Sequence, residues 1–145
     1  MPKILLVEDN ELNRDMLSRR LQRRGFEIVT ATDGEKGVAL AASEKPDLIL
    51  MDIQLPEISG LEVTRRLRGD ARSRHIPIIA VTAFAMGWHE GEALSSGCDA
   101  YISKPISIFA FLSTVGTSFR NFPTRSSASS PTSETPVRDD LPRGG

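Results

Sequence analysis

Short apolar runs alternate with longer stretches of helical period along most of the chain. Lys3–Val7 (KILLV), Glu27–Ala31 (EIVTA), Leu48–Met51 (LILM), Ile76–Thr82 (IPIIAVT) and Ala100–Ser103 (AYIS) are brief and rich in β-branched or large aliphatic side chains, which predicts five strands. In ELNRDMLSRRLQRR, Leu12, Met16, Leu17 and Leu21 recur at helical spacings while Arg14, Arg19, Arg20, Arg23 and Arg24 take other faces, and Gly25 ends the helix. GEKGVALAASE predicts a second helix, stopped by Lys45-Pro46, and GLEVTRRLRG a third. A fourth, Met86 to Ser96, is weak because Gly87, Gly91, Ser95 and Ser96 are poor helix formers, so a frayed or mobile helix is expected there. The fifth runs from Ile106 to about Phe119 without a charged residue. Ile106, Phe109, Leu112 and Val115 are expected to face inward, leaving Ile108, Phe111 and Phe119 partly outside as a candidate contact surface.

Five such strands, mostly continuous apolar runs and each followed by a helix, predict an α/β fold: a doubly wound parallel sheet covered on both faces. Ligands of such sheets bind outside the carboxyl ends of the strands, so the residues just after each apolar run carry the interest. From Asn121 to Gly145 the composition shifts to Ser, Thr, Pro, Arg and Asp, which predicts a Ser/Pro-rich disordered tail behind one domain of residues 1–120.

The overall balance is 39% apolar and 26% charged with a net charge of −1, which argues against a general nucleic-acid or membrane-surface binder and for a protein or small-molecule partner. Cys98 is the single cysteine and His75 and His89 the only histidines, so neither a disulfide framework nor a Cys/His zinc cluster can form. The first apolar run is four residues long and is stopped by Glu8 and Asp9, unlike a signal peptide, and a cytoplasmic location is expected.

The strand ends carry a constellation. Glu8 and Asp9 follow the first strand, Asp52 the third, Thr82 closes the fourth, and Lys104-Pro105 follows the fifth. Singly, each has an ordinary role: a strand-end Asp caps or turns, a Thr suits a strand, a Lys-Pro pair makes a loop. Jointly, with the first strand beside the third, they converge on one rim. Three acids packed together repel one another and call for a counter-charge. Hard oxygen ligands with room for water and a phosphate suit Mg²⁺, and Lys104 and Thr82 place a cation and a hydroxyl where an anion would sit. The combination points to phosphoryl transfer onto a carboxylate, with Asp52 as nucleophile forming an acyl phosphate.

The tracts LLVEDNELNR, DLILMDIQLPEISGLEV, IPIIAVTAFA and CDAYISKPIS resemble the receiver domain of two-component response regulators, over about residues 2 to 119. The resemblance implies a flavodoxin-like (βα)5 sheet of order 2-1-3-4-5. It implies Asp52 as phosphoacceptor from a histidine kinase or phosphotransferase. Mg²⁺ would be held by Asp9, Asp52 and the backbone carbonyl of Gln54, with Glu8 acting through metal-bound water. Thr82, Lys104 and the backbone N–H groups of Ile53 and Ala83 would bind the phosphoryl oxygens, and Lys104-Pro105 would be a cis peptide. Tyr101 would be the switch aromatic, rotating as Thr82 moves and reshaping the face of helix four, strand five and helix five, where a downstream protein binds. Such a protein catalyses only its own phosphotransfer and dephosphorylation and is expected to be a monomer or weak dimer. With no output domain recognisable after residue 119, its signal would leave through protein contact, in cell-division control for the relatives it most resembles.

Gln54 and Phe84 lie two residues beyond Asp52 and Thr82, where bulk would shield an aspartyl phosphate from water and slow its hydrolysis. Trp88 is a candidate partner anchor. Two rivals remain open: a phosphohydrolase, which typically wants a second Asp where Gln54 stands, and a phosphate-independent adaptor that keeps the pocket only as part of its fold.

Overall fold

The computed structural model describes residues 2–83 and 87–118, with residues 87–90 and 116–118 described by backbone alone. Among the described residues ten elements alternate in the expected order: β1 (Lys3–Val7), α1 (Glu11–Arg23), β2 (Glu27–Ala31), α2 (Gly34–Glu44), β3 (Leu48–Asp52), α3 (Gly60–Arg68), β4 (Ile78–Thr82), α4 (Gly87–Ser95), β5 (Ala100–Ser103) and α5 (Ile108–Ser118). The strands form one parallel sheet of order β2-β1-β3-β4-β5, as predicted. The Ser/Pro-rich segment from Asn121, together with Phe84 and Phe119, lies outside the described residues, as do the side chains of Trp88 and His89.

Each central strand feeds both faces of the sheet, which is why it reads as a continuous apolar run. On one face Leu5, Val7, Ile49, Met51, Ile78 and Ala80 meet Val63 and Leu67 of α3 and Ala93 of α4. On the other, Ile4, Leu6, Leu48, Leu50, Ile79 and Val81 meet Leu17 and Leu21 of α1 and Phe111 and Val115 of α5. Asn10 and Ser59 start α1 and α3 by accepting hydrogen bonds from the N–H groups of Asn13 and Glu62. At the amino-terminal rim, Arg68 ties the back of α3 to its neighbours. It donates to the carbonyls of Gly97 (2.8 Å), Arg74 (2.9 Å) and Ile76 (2.6 Å) and pairs with Asp99 at 2.7 Å. Asp99 in turn accepts the Ile78 N–H at 2.9 Å.

Two helices differ from the sequence expectation. In α1 only Leu17 and Leu21 are buried, while Leu12 and Met16, in the first half of the helix, stay 78% and 44% exposed. In α5 the phase is rotated: Phe111 is fully buried and Phe109 is 65% exposed. The Ser107 Oγ accepts the Ala110 N–H at 2.9 Å and caps the helix; Ile108 and Phe111 turn inward in place of Phe109, joining Leu112, Val115 and, just ahead of the helix, Ile106, which pack on this core as expected. Phe111 then meets the edge of Phe26 with ring centroids 5.9 Å apart.

This phase has a measurable consequence. Phe111→Ala should lower the unfolding free energy by about 3–5 kcal/mol in urea titrations followed by circular dichroism, whereas Phe109→Ala should change it by no more than about 0.5 kcal/mol. The reverse ranking would restore the phase read from the sequence.

Candidate functional site

The carboxyl ends of β1, β3 and β5 bring Glu8, Asp9, Asp52 and Lys104 together at one rim, and Thr82 closes β4 beside Lys104. β3 is buried along its whole length, so Asp52 arrives at the rim only 2% exposed. Glu8, at the end of β1, is 4% exposed, whereas Asp9 faces solvent. One carboxylate oxygen from each of the three acids lies within 4.8 Å of the others. Lys104 reaches in from the β5–α5 connection: its Nζ donates to Asp52 Oδ2 at 3.0 Å and lies 3.4 Å from Glu8 Oε1. The Lys104-Pro105 peptide is cis, as expected. Thr82 is buried at the end of β4, and its carbonyl accepts the Lys104 N–H at 2.7 Å, which fixes the two residues side by side.

The remaining Asp52 oxygen is also held: the Gln54 N–H donates to Oδ1 at 2.9 Å. Ile53 behaves differently from expectation. Its N–H donates to the Val81 carbonyl at 2.9 Å, because the β3–β4 ladder runs one residue past Asp52, so this donor is already used and Gln54 supplies the backbone N–H facing the carboxylate. The Gln54 side chain is exposed, and so is Ala83, beyond Thr82. Tyr101 is half-buried on β5 beside Ala80, packed against the core face of α3 and α4.

Two residues not singled out in the sequence shape the acidic corner. Arg14, one turn into α1, donates to the carbonyls of Glu8 (3.0 Å) and Asp9 (3.4 Å), and the Asn10 N–H donates to Glu8 Oε2 at 3.1 Å. Spacing alone was a weak signal for Arg14, since four arginines lie on that helix and Arg14 is the one that turns back to Glu8 and Asp9.

The electrostatics follow from burial. Desolvation raises the Glu8 pKa above its ordinary value; the Asn10 N–H opposes this, while the neighbouring Asp52 charge adds to it. Burial by itself would lower the Lys104 pKa, but the hydrogen bond and charge of Asp52, with Glu8 behind, outweigh it and the ammonium is held more firmly protonated. Two buried carboxylates thus share one fixed cation, and Asp9 adds a third acid at the mouth. Such a set of hard oxygen donors, in excess of the positive charge present, fits a divalent cation of the Mg²⁺ type.

The profile described as "Response regulator receiver domain" matches residues 4–115. The chain is 52% identical over 116 residues to the polar-differentiation response regulator DivK of Brucella anthropi, covering 79% of this chain and 94% of the relative. Among solved structures it is similar to the receiver domain of sensor histidine kinase PA1611 from Pseudomonas aeruginosa, determined with a magnesium ion coordinated in the active-site cleft. That match has a TM-score of 0.74 and 32% identity over 81% of this chain and 96% of the other. A chain in the co-crystal structure of the Saccharomyces cerevisiae histidine phosphotransfer signaling protein Ypd1 with the receiver domain of its downstream response regulator Ssk1 matches with TM-score 0.74 and 26% identity, over 83% and 94%. Among the described residues, no helix is long and apolar enough to cross a membrane.

The charge excess predicts an unusual stability profile. Because the folded-state pKa of Glu8 lies above its ordinary 4.5, ionised Glu8 destabilises the metal-free fold above the folded pKa, and the penalty fades as acidification protonates it. Glu8→Gln should therefore raise the metal-free melting temperature at neutral pH by about 2–5 °C, a gap that closes below pH 4.5. Scanning calorimetry in EDTA across pH reads this directly, and a variant less stable than the parent at pH 7 would contradict it.

Proposed function

This chain belongs to the response regulator receiver family, and we propose that it is a phosphorylation switch in which Asp52 accepts a phosphoryl group from a histidine kinase or phosphotransferase. The observation that carries the reading is the Asp52 carboxylate, buried at the carboxyl end of β3 with Lys104 at 3.0 Å and Glu8 and Asp9 beside it. An Asp52 oxygen attacks phosphorus as the P–N bond to the donor imidazole breaks, and the leaving imidazole takes up a proton. Little acid–base help is needed; the site must align the carboxylate and neutralise charge. Gln54 N–H and Lys104 hold the carboxylate oxygens in place, and Lys104 then lies within reach of the phosphoryl oxygens. Thr82 offers a hydroxyl, and Ala83 its N–H, from the end of β4. Asp9, Asp52 and the Gln54 carbonyl, with Glu8 behind, are the residues that would hold Mg²⁺, which when bound supplies neutralisation of the phosphoryl charge.

The phosphate adds roughly −1.5 to −2 charges at this one point. Thr82, drawn toward it, vacates space beside Tyr101, whose half-buried position on β5 allows an inward rotation and a changed α4–β5–α5 face. That face meets a downstream protein, and the chain works in the cytoplasm as a monomer or weak dimer. The likeness to the polar-differentiation regulator supports a role in cell-division or cell-cycle control. The chain turns over nothing but its own phosphoryl group.

Phosphotransfer from a radiolabelled histidine phosphotransfer protein tests the reading. Label should reach the wild type in Mg²⁺, fall to background in EDTA, and be absent from Asp52→Asn, while Thr82→Ala should accept label yet lose phosphate-dependent partner binding. Equal labelling of wild type and Asp52→Asn would defeat it.

A further inference from the structure

The connection from β1 to α1 carries two of the three acids, yet the sheet stops holding the chain before it reaches the second. The last ladder contact is the Glu8 N–H on the Ala31 carbonyl at 3.0 Å, and Asp9 lies one residue beyond it, exposed. Burial therefore does nothing to fix the Asp9 carboxylate. Its backbone is held by Arg14 instead: one guanidinium nitrogen, Nη1, donates to the Glu8 carbonyl at 3.0 Å and to the Asp9 carbonyl at 3.4 Å. These carbonyls belong to the two peptides on either side of the Asp9 Cα. Holding both sets the direction in which the Asp9 side chain leaves the backbone. The same grip steadies Glu8, whose carboxylate is tied in turn to the Asn10 N–H at 3.1 Å.

Arg14 stands against the local preference of its helix. It closes the first turn of α1, where unpaired N–H groups already concentrate positive charge and a cation is disfavoured. Side chains lean toward the amino-terminal end of a helix, so a long one at this position reaches back over the connection. Neighbouring arginines turn elsewhere: Arg19 pairs with Asp15 at 3.2 Å, and Arg20 meets the Met16 sulfur at 3.5 Å. From this geometry we infer that Arg14 is a positioning residue for the metal corner, acting on Asp9 and Glu8 through their carbonyls and not through their carboxylates. The inference rests on the Mg²⁺ binding proposed for the pocket. Charge and positioning act in opposite directions here. A guanidinium near the acids repels a divalent cation, so by charge alone its loss would tighten Mg²⁺ binding. Because its hydrogen bonds aim Asp9, its loss weakens binding, as removal of groups that orient metal ligands does. The sign of the change separates the two roles.

The experiment measures Mg²⁺ dissociation constants by calorimetry and, in EDTA, amide hydrogen exchange, both on the full chain under conditions where circular dichroism shows every variant folded. Arg14→Met keeps an unbranched stem and removes every donor, and it should bind Mg²⁺ about tenfold more weakly than wild type. Arg14→Lys keeps a donor on a shorter stem and should recover part of the loss, to about threefold. Arg19→Met removes the same charge from the same helix without disturbing the connection, and should stay within about twofold of wild type. In EDTA the Asn10 N–H should exchange about tenfold faster in Arg14→Met, while the Lys104 N–H, bonded to the Thr82 carbonyl at 2.7 Å, keeps its rate. Unchanged or tighter Mg²⁺ binding in Arg14→Met, an equal loss in Arg19→Met, or equal acceleration of both amides would overturn the inference. Should Arg14→Met not fold, Arg14→Gln takes its place with the same expectations, its amide being too short to span both carbonyls, and the same contrary results. Absence of Mg²⁺ binding by the unsubstituted chain would overturn the reading of the pocket itself, and the inference with it.

Discussion

Two carboxylates taken almost completely out of water beside a single ammonium are the constraint around which this molecule is arranged. Asp52 and Glu8 are 2% and 4% exposed, and Lys104 answers both. Leaving one member unpaired in so dry a place is costly, which explains why every approach to the pair is closed by a backbone donor or by a charge. The Gln54 and Asn10 N–H groups take the free oxygens, and Arg14 grips the carbonyls behind the acidic corner. What remains uncompensated is negative charge, and that residual excess is what gives the pocket an appetite for a divalent cation and, with it, a phosphoryl group.

The sheet makes this affordable. Parallel strands buried on both faces cannot slide without exposing a full row of aliphatic side chains, so their ends are rigid points of attachment. At the amino-terminal rim the chain is tied by Arg68 to three carbonyls and to Asp99, leaving change to the opposite rim. There the strands give way to loops whose conformation is dictated residue by residue: a Gly-only seat at position 60, a left-handed Glu57, a carbonyl-to-amide link between Thr82 and Lys104.

The sequence was most informative where one physical rule dominates. Runs such as LLV after Ile4 and LIL before Met51 can only be strands buried on both faces, and the ionisable residues directly behind them, Glu8, Asp9 and Asp52, had to land on one rim once the topology was right. Legibility failed where two phases compete or where backbone decides. Helix α5 is apolar on several faces, so the Ser107 cap and the Phe26 ring, not the pattern, settled that Phe111 goes in and Phe109 stays out. Leu12 and Met16 match a helical stripe, yet both stay exposed while Leu17 and Leu21 of the same stripe are buried. That the Ile53 N–H would be spent on Val81 depends on where a ladder ends, and that Glu57 would adopt positive φ depends on closure between Ile53 and Gly60. Neither leaves a mark in residue types.

The central claim is that one carboxylate, that of Asp52, becomes an acyl phosphate. Its most direct test is chemical trapping: after phosphotransfer in Mg²⁺, borohydride reduction converts an aspartyl phosphate to homoserine, and peptide mass spectrometry reads the position. The account predicts homoserine at residue 52 and nowhere else, with none formed in EDTA. Homoserine at another carboxylate, or a phosphorylated protein that yields none at residue 52, would contradict it.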